Sequence, residues 1–248
     1  MSADLSAVRL LIATPAYNGV SNNYFHATHA LRTTLNKVGI VGQFVTAPAM
    51  PVDAARDFIG NAFLARTKSK DPFTHLLMVD SDIGFPASAV LQMIERDVDF
   101  IAAAPPLRRY DWKGAEKALA QAAAAATSPR IERLASMYAV KLLDGKLSVD
   151  SRGCARIDQV GGAFMLLRPR VFEAIGEAYP ELRHNKGVMF FQPAVIDGER
   201  KGEDIAFCQR WRKTGGDIWL LVDVQLSHEG PHTFEGSYSD LTTLGNAT

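Results

Sequence analysis

The sequence predicts an α/β fold: a mostly parallel central sheet flanked by helices, with mixed strand pairing in the C-terminal half. Three observations predict it. Residues 8–104 alternate short apolar runs with amphipathic stretches, the strand–helix order that builds parallel sheets. The run "LLMV" at 76–79 is apolar at every position, as expected of a strand buried on both faces. After Pro105 the alternation breaks, and turn signals such as Asp144-Gly145 point to hairpins.

Taken in order, "VRLLIAT" (8–14) is the first strand. Residues 21–39 follow as a helix, with Ser21 as cap, Ala27, Leu31, Leu35 and Val38 as apolar stripe and Gly39 as stop. "IVGQFVT" (40–46) is the next strand. Residues 52–67 form a helix capped by Asp53, with Ala55, Phe58, Ile59, Ala62 and Phe63 on one face. A strand at 73–79, a helix begun by Pro86 and carrying Val90, Leu91 and Ile94, and a strand at 98–104 complete the first half. The segment "EKALAQAAAAATSP" is helix-prone but offers mostly methyl groups, which suits a thin peripheral helix or a mobile loop. A hairpin around Asp144-Gly145 is expected over 137–150, and a loop, strand and short helix over 160–176. Residues 202–230 read as a helix ending at Gly215 and then a strand. No repeat or linker divides the chain, so residues 1–248 read as one domain.

The composition excludes several classes. Lys plus Arg and Asp plus Glu number 27 each, so the formal net charge is zero and a general nucleic-acid binder is not indicated. Hydrophobic residues at 47% and charged residues at 22% are ordinary for a soluble globular protein. Cys154 and Cys208 are too few for a disulfide framework and lack metal-type spacing; they read as small buried thiols. The start has no basic n-region and no window approaches a transmembrane span, so a cytoplasmic protein is expected.

Chemistry concentrates where strands end. In "VDSD" a buried strand runs into Asp80 and Asp82, and residues two apart in an extended segment point the same way. Carboxylates there must reach water or hold something, because burying them bare costs several kcal/mol. At the carboxyl end of a central strand they suit Mg²⁺ or Mn²⁺ gripping a phosphate; a solvated turn is the plainer alternative. Glu203 and Asp204 open an apparent helix, where they complement the macrodipole or place a general base. His228, after "DVQLS", is a surface loop histidine or a nitrogen ligand completing a Mn²⁺ site, with His232 a weaker candidate. "TPAYNG" places Tyr17 to stack on a base and contains neither a dinucleotide nor a P-loop fingerprint. Arg56 could meet a nucleotide phosphate or ribose. Arg108, Arg109 and Lys113 make a possible anion-binding loop, and Gly161-Gly162 lets backbone approach a ligand or turns the chain.

In order, "TPAYN", "ARDFIGNAFL", "LLMVDSDIGF", "VGGAFMLLRPRVFEAIG", "GEDIAFCQRWRKTGGDIWL" and "LSHEG" resemble a GT-A fold (Rossmann-like) glycosyltransferase of family 2 type and related bacterial and viral enzymes. The resemblance spans roughly residues 8–230. It implies a nucleotide-binding half, 8–104, and an acceptor and catalytic half, 105–235. Thr14, Pro15, Ala16 and Tyr17 would hold nucleobase and ribose, with Arg56, Asp80 and Ser81 assisting. Asp80, Asp82 and His228 would make the metal site for Mn²⁺ or Mg²⁺, Asp82 and His228 as direct ligands and Asp80 on the ribose or a metal-bound water. Gly161, Gly162 and Arg108 would border the sugar or acceptor. Asp204, beside Glu203, would be the base of an inverting transfer from a nucleoside-diphosphate sugar, UDP by default, to an unidentified hydroxyl acceptor. The chain departs from the pattern at Asp57, where many relatives carry Asn.

Rival readings come from other classes. A sugar-phosphate nucleotidyltransferase would be expected to show a Gly-rich basic loop after the first strand, which "TPAYNG" is not. A haloacid-dehalogenase-like phosphatase usually has Gly-Thr or similar after its second Asp, where Ile83-Gly84-Phe85 stands here. A nucleotide-sugar-binding module without turnover would not need the acids.

Overall fold

Within the strand Arg9–Ala16, Leu11 and Ala13 face one side and Leu10 and Ile12 the other, and all are buried. The strand His75–Val79 repeats this, with Leu76 and Met78 in the first core and Leu77 and Val79 in the second. Side chains alternate along a strand, so strands with no wet face must lie in a sheet covered on both sides. The computed structural model describes residues 5–124, 131–230 and 233–239. Among these, the central sheet has eight strands in the order Val41–Pro48, Arg9–Ala16, His75–Val79, Phe164–Leu167, Phe100–Ala102, Ile218–Leu221, Cys154–Val160 and Val140–Leu142. Phe164–Leu167 and Cys154–Val160 run against the other strands. The sheet is therefore mixed, and a strand of the second half is inserted between two of the first.

The helices are α1 (Asn22–Val38), α2 (Val52–Thr67), α3 (Ala87–Arg96), α4 (Trp112–Ala124), α5 (Ile131–Ala135), α6 (Pro169–Ala178) and α7 (Glu203–Lys213). α1 and α3 cover one face through Leu31, Leu35, Val90 and Ile94. α2, α6 and α7 cover the other, where Phe63, Phe172 and Phe207 dominate. Gly60 makes this second layer tight: a Cβ there would stand 2.7 Å from the Phe172 ring, so α2 lies close on α6. α4 and α5 pack mainly on each other through Ala115, Ala118 and Leu134, the small apolar contact its methyl-rich sequence allows.

The helix signals hold with local corrections. Ser21 Oγ accepts from the Tyr24 N–H at 3.2 Å, and Gly39 ends α1 with φ of 75°. Val38, however, is exposed at the last turn. Pro51, not Asp53, occupies the cap of α2; Asp53 sits inside the first turn, its Oδ1 accepting from the Ala54 N–H. Phe58 is exposed because the buried positions 55, 59 and 63 form one stripe and position 58 lies about 100° round from Ile59. The helical reading of the Ala-rich segment holds through Ala124; residues 125–130 lie outside the described residues.

Two strand assignments change. Asp144 and Gly145 do turn with positive φ, but Val140–Leu142 pairs with Cys154–Val160, so the hairpin is longer than 137–150. The segment after α7 is two strands, Ile218–Leu221 and Gln225–His228, which join different sheets. His228 is thus the last residue of a strand rather than a loop residue.

Candidate active site

The buried strand His75–Val79 ends because the next residues find polar partners off the sheet. The Asp80 N–H donates to Ala163 O at 2.9 Å, and the Ile83 N–H returns to Asp80 O at 3.2 Å, closing a turn. Ser81 O accepts from the Ser21 N–H at the start of α1, and Asp82 O from the Glu229 N–H, each at 2.8 Å. The short strand Ile83–Gly84 pairs antiparallel with Gln225–His228, setting His228 opposite Ile83 and beside Asp82. His228 Nε2 lies 3.3 Å from Asp82 Oδ2. Its Nδ1 donates to Pro106 O at 2.9 Å, since a carbonyl only accepts, and this turns Nε2 toward Asp82: with a proton Nε2 donates to that carboxylate, and without one its lone pair is free for a cation. Arg108 Nη1 approaches the same Asp82 oxygen at 3.2 Å. Burial by itself would raise the Asp82 carboxyl, but its bond to His228 and the charges of His228 and Arg108 hold it below the usual range.

Asp80 has a different partner. Arg56 Nη2 donates to both its oxygens, at 2.9 and 3.0 Å, while Arg56 Nη1 donates to Glu203 Oε1 at 2.8 Å. Burial of this arginine opposes its charge, yet Asp80, Glu203 and Asp204 together raise its pKa further, so it is permanently cationic. Gly162 is what admits it: a Cβ there would stand 2.7 Å from Arg56 Nη1. Arg56 is 3% exposed, so it clamps the site from below instead of reaching for a nucleotide phosphate in solvent. Its Nε is buried and finds no hydrogen-bond partner among the described residues.

Asp204 turns toward the glycine loop. Its Oδ2 accepts from the Gly162 N–H at 3.2 Å and its Oδ1 from the Ile205 N–H at 2.7 Å. Asp57, next to the clamp, accepts from the Phe191 N–H at 2.7 Å, while Arg210 of α7 donates to the Phe190 carbonyl at 3.0 Å. One peptide group is thereby gripped by α2 and α7, and the Phe191 ring stacks on Phe207 at 4.1 Å. Burial pushes the Asp57 carboxyl up to about 6, despite its bond to Phe191.

Two cavities meet here. A cleft of about 720 Å³ is lined by Pro15, Tyr17, Asn18, Asp80, Asp82 and Arg108 among others. A smaller one of about 290 Å³ is lined by Arg56, Gly161, Gly162, Glu203, Asp204 and His228 among others. They share Val52 and Asp80. Pro15, Tyr17, Asp80, Ser81, Asp82 and Arg108 come together in the cleft, and Arg56, Gly161, Gly162, Glu203, Asp204 and His228 in the smaller cavity, which separates Arg56 from the nucleotide residues and His228 from Asp82's cavity. Thr14 does not: it is fully buried, its hydroxyl 2.7 Å from that of Tyr24, and Ala16 is buried beside it. Arg109 and Lys113 are exposed and line neither cavity, and His232 lies outside the described residues. Asn18, Met50 and Pro51 of the cleft and the Pro106 carbonyl escaped notice because only neighbouring loops give them a role.

As a cation site the donors are few. Among the described residues no group of three or more His, Cys, Asp or Glu comes together to hold a metal ion. Asp82 and His228 do converge, and such a pair suits a cation that draws its other ligands from phosphate and water. Among the described residues no helix is long and apolar enough to cross a membrane.

No family model matches the chain, and no curated protein does. Among solved structures, the inositol-1-phosphate CTP transferase from T. maritima aligns over 97% of this chain and 96% of that one, at 11% identity and a TM-score of 0.44. A likeness this slight bears on neither fold nor activity.

Proposed function

We propose that the protein is a metal-dependent glycosyltransferase that moves a sugar from a nucleoside-diphosphate sugar to an acceptor hydroxyl, with inversion. One observation carries this: the cleft ending in Asp82 and Arg108 shares a wall, Asp80 and Val52, with the cavity that holds Asp204. A donor laid along the cleft would set its base against Tyr17 and Pro15, its diphosphate near Asp82, and its sugar toward Gly161 and Gly162. UDP is the default nucleotide, because Tyr17, exposed in the cleft just past the strand Arg9–Ala16, is offered to a pyrimidine. Residues 8–104 would serve the nucleotide and 105–235 the acceptor.

Asp82 and His228 would hold Mn²⁺ or Mg²⁺, whose charge would offset that developing on the leaving diphosphate. Asp80, fixed by Arg56, would face the ribose. Asp204 Oδ2 would take the acceptor proton as the hydroxyl oxygen bonds to the anomeric carbon. The bond from that carbon to the diphosphate breaks, and its electron pair leaves on the nucleoside diphosphate. Glu203, bonded to Arg56, would hold the clamp and not the proton.

A second reading is a sugar-phosphate nucleotidyltransferase. It differs in its products, since it releases pyrophosphate from a nucleoside triphosphate. The test is a thermal-shift panel of UDP, GDP, CDP and ADP, each with and without Mn²⁺. One diphosphate at about 100 times its dissociation constant should add about 2.7 kcal/mol, and only with metal. No stabilisation by any of them at millimolar concentration sinks the donor site, and pyrophosphate release from a triphosphate favours the second reading.

A further inference from the structure

The strand Pro106–Tyr110 touches both side chains that would receive a cation. Its Pro106 carbonyl accepts from His228 Nδ1 at 2.9 Å, and its Arg108 Nη1 lies 3.2 Å from Asp82 Oδ2. That Asp82 oxygen is also the one facing His228 Nε2. The guanidinium therefore stands against the atom that a cation shared with His228 would need. Asp82 is 26% exposed, enclosed enough that a counter-charge matters, whereas Arg108 is 49% exposed and can swing away on its stem. Arg108 also lines the cleft beside Ser81 and Tyr17, along the path of a donor diphosphate.

We propose that Arg108 holds the place of the cation in the free protein and turns onto the donor diphosphate when a divalent ion takes Asp82. This rests on the nucleoside-diphosphate-sugar reading, and it assigns Arg108 to the phosphates instead of the sugar or acceptor. The planar guanidinium fork matches phosphate oxygens, so the ion pair with Asp82 is exchanged for one with the ligand and the site stays neutralised throughout. Such an exchange has two consequences of opposite sign. Arg108 competes with the metal when the metal binds alone, and cooperates with it when a diphosphate is present.

Isothermal titration of Arg108→Ala with Mn²⁺ alone, and with UDP, GDP, CDP and ADP at saturating Mn²⁺, tests both. Mn²⁺ alone should bind about twofold to fivefold tighter than to the unsubstituted protein, the effect of deleting a competing, partly exposed ion pair. The diphosphate that the unsubstituted protein accepts should bind about tenfold weaker, as loss of a charged hydrogen bond implies. Arg108→Lys, which keeps the charge without the fork, should fall between, and Arg109→Ala should change neither affinity. Metal and diphosphate affinities moving in the same direction, or an unchanged diphosphate affinity, would overturn the role of Arg108 alone. If the unsubstituted protein binds none of the four diphosphates with Mn²⁺, the donor reading falls and takes this assignment with it.

Discussion

Asp204 has both carboxylate oxygens occupied by backbone donors, the N–H groups of Gly162 and Ile205, which fix its orientation toward the smaller cavity. Glu203, its neighbour, is instead committed to Arg56. The two acids read alike in sequence, and only their partners separate the proposed base from a brace. Asp204→Asn preserves size and the acceptor oxygen but removes the basicity. It should therefore leave Mn²⁺-dependent nucleotide binding intact and lower transfer by about 10²–10⁴-fold. Full transfer in that variant, measured by release of nucleoside diphosphate, removes Asp204 as base. The Asp80–Asp82 pair shows the same logic: the spacing places both at the sheet edge, yet Asp80 meets Arg56 and Asp82 meets His228 and Arg108.

At the scale of elements, Arg56 joins α2, the turn after His75–Val79 and the first turn of α7 in one pair of ionic contacts. The peptide of Phe190 and Phe191, held by Asp57 and Arg210, repeats the α2–α7 tie, with the Phe191 ring stacked on Phe207. Removing a buried arginine leaves its carboxylate partners uncompensated, so Arg56→Ala should destabilise the fold by about 3 kcal/mol. Urea unfolding measures this; a loss under about 1 kcal/mol would mean that water reaches Asp80 and Glu203 well enough to replace the clamp. The Ser21 cap and Gly39 stop of α1 were legible because capping is local chemistry. The cap of α2 differs from the sequence expectation because Asp53 satisfies the same local pattern two residues past Pro51.

For the whole molecule, two groups oppose each other in pH: His75, buried at the start of strand His75–Val79, and Asp57, half-buried on α2. Burial, reinforced by the charge of Arg168, lowers His75 to about 4, and it stays neutral with Arg168 Nε donating to its Nε2. Between about pH 4 and 6.5 the unfolded chain binds the His75 proton and the folded protein does not, so this group makes stability rise with pH. Asp57, raised to about 6, acts in reverse: from about pH 4 to 6 the folded protein keeps a proton that the unfolded chain has lost, and stability falls. The two contributions offset each other over that window. Asp57→Asn removes only the second, so its unfolding midpoint should climb relative to the unsubstituted protein as pH goes from 4.5 to 6.5. A parallel pair of pH profiles would show that Asp57 titrates normally.

The sequence by itself determined the strand and helix order of residues 8–104, the burial of strand His75–Val79 on both faces and the exit of Asp80 and Asp82 at its end, since periodicity and capping are written in adjacent residues. It also named half of the residues lining the two cavities. What only the tertiary structure decided is who faces whom. The insertion of Phe164–Leu167 between two strands of the first half sets Ala163 against Asp80, and the pairing of Gln225–His228 with Ile83–Gly84 sets His228 against Asp82. These pairings join residues more than 60 positions apart, and their register depends on the packing of whole strands. No local pattern encodes that Arg56 is buried as a clamp, that Thr14 bonds to Tyr24 in the core, or that Arg108 stands where a cation would bind.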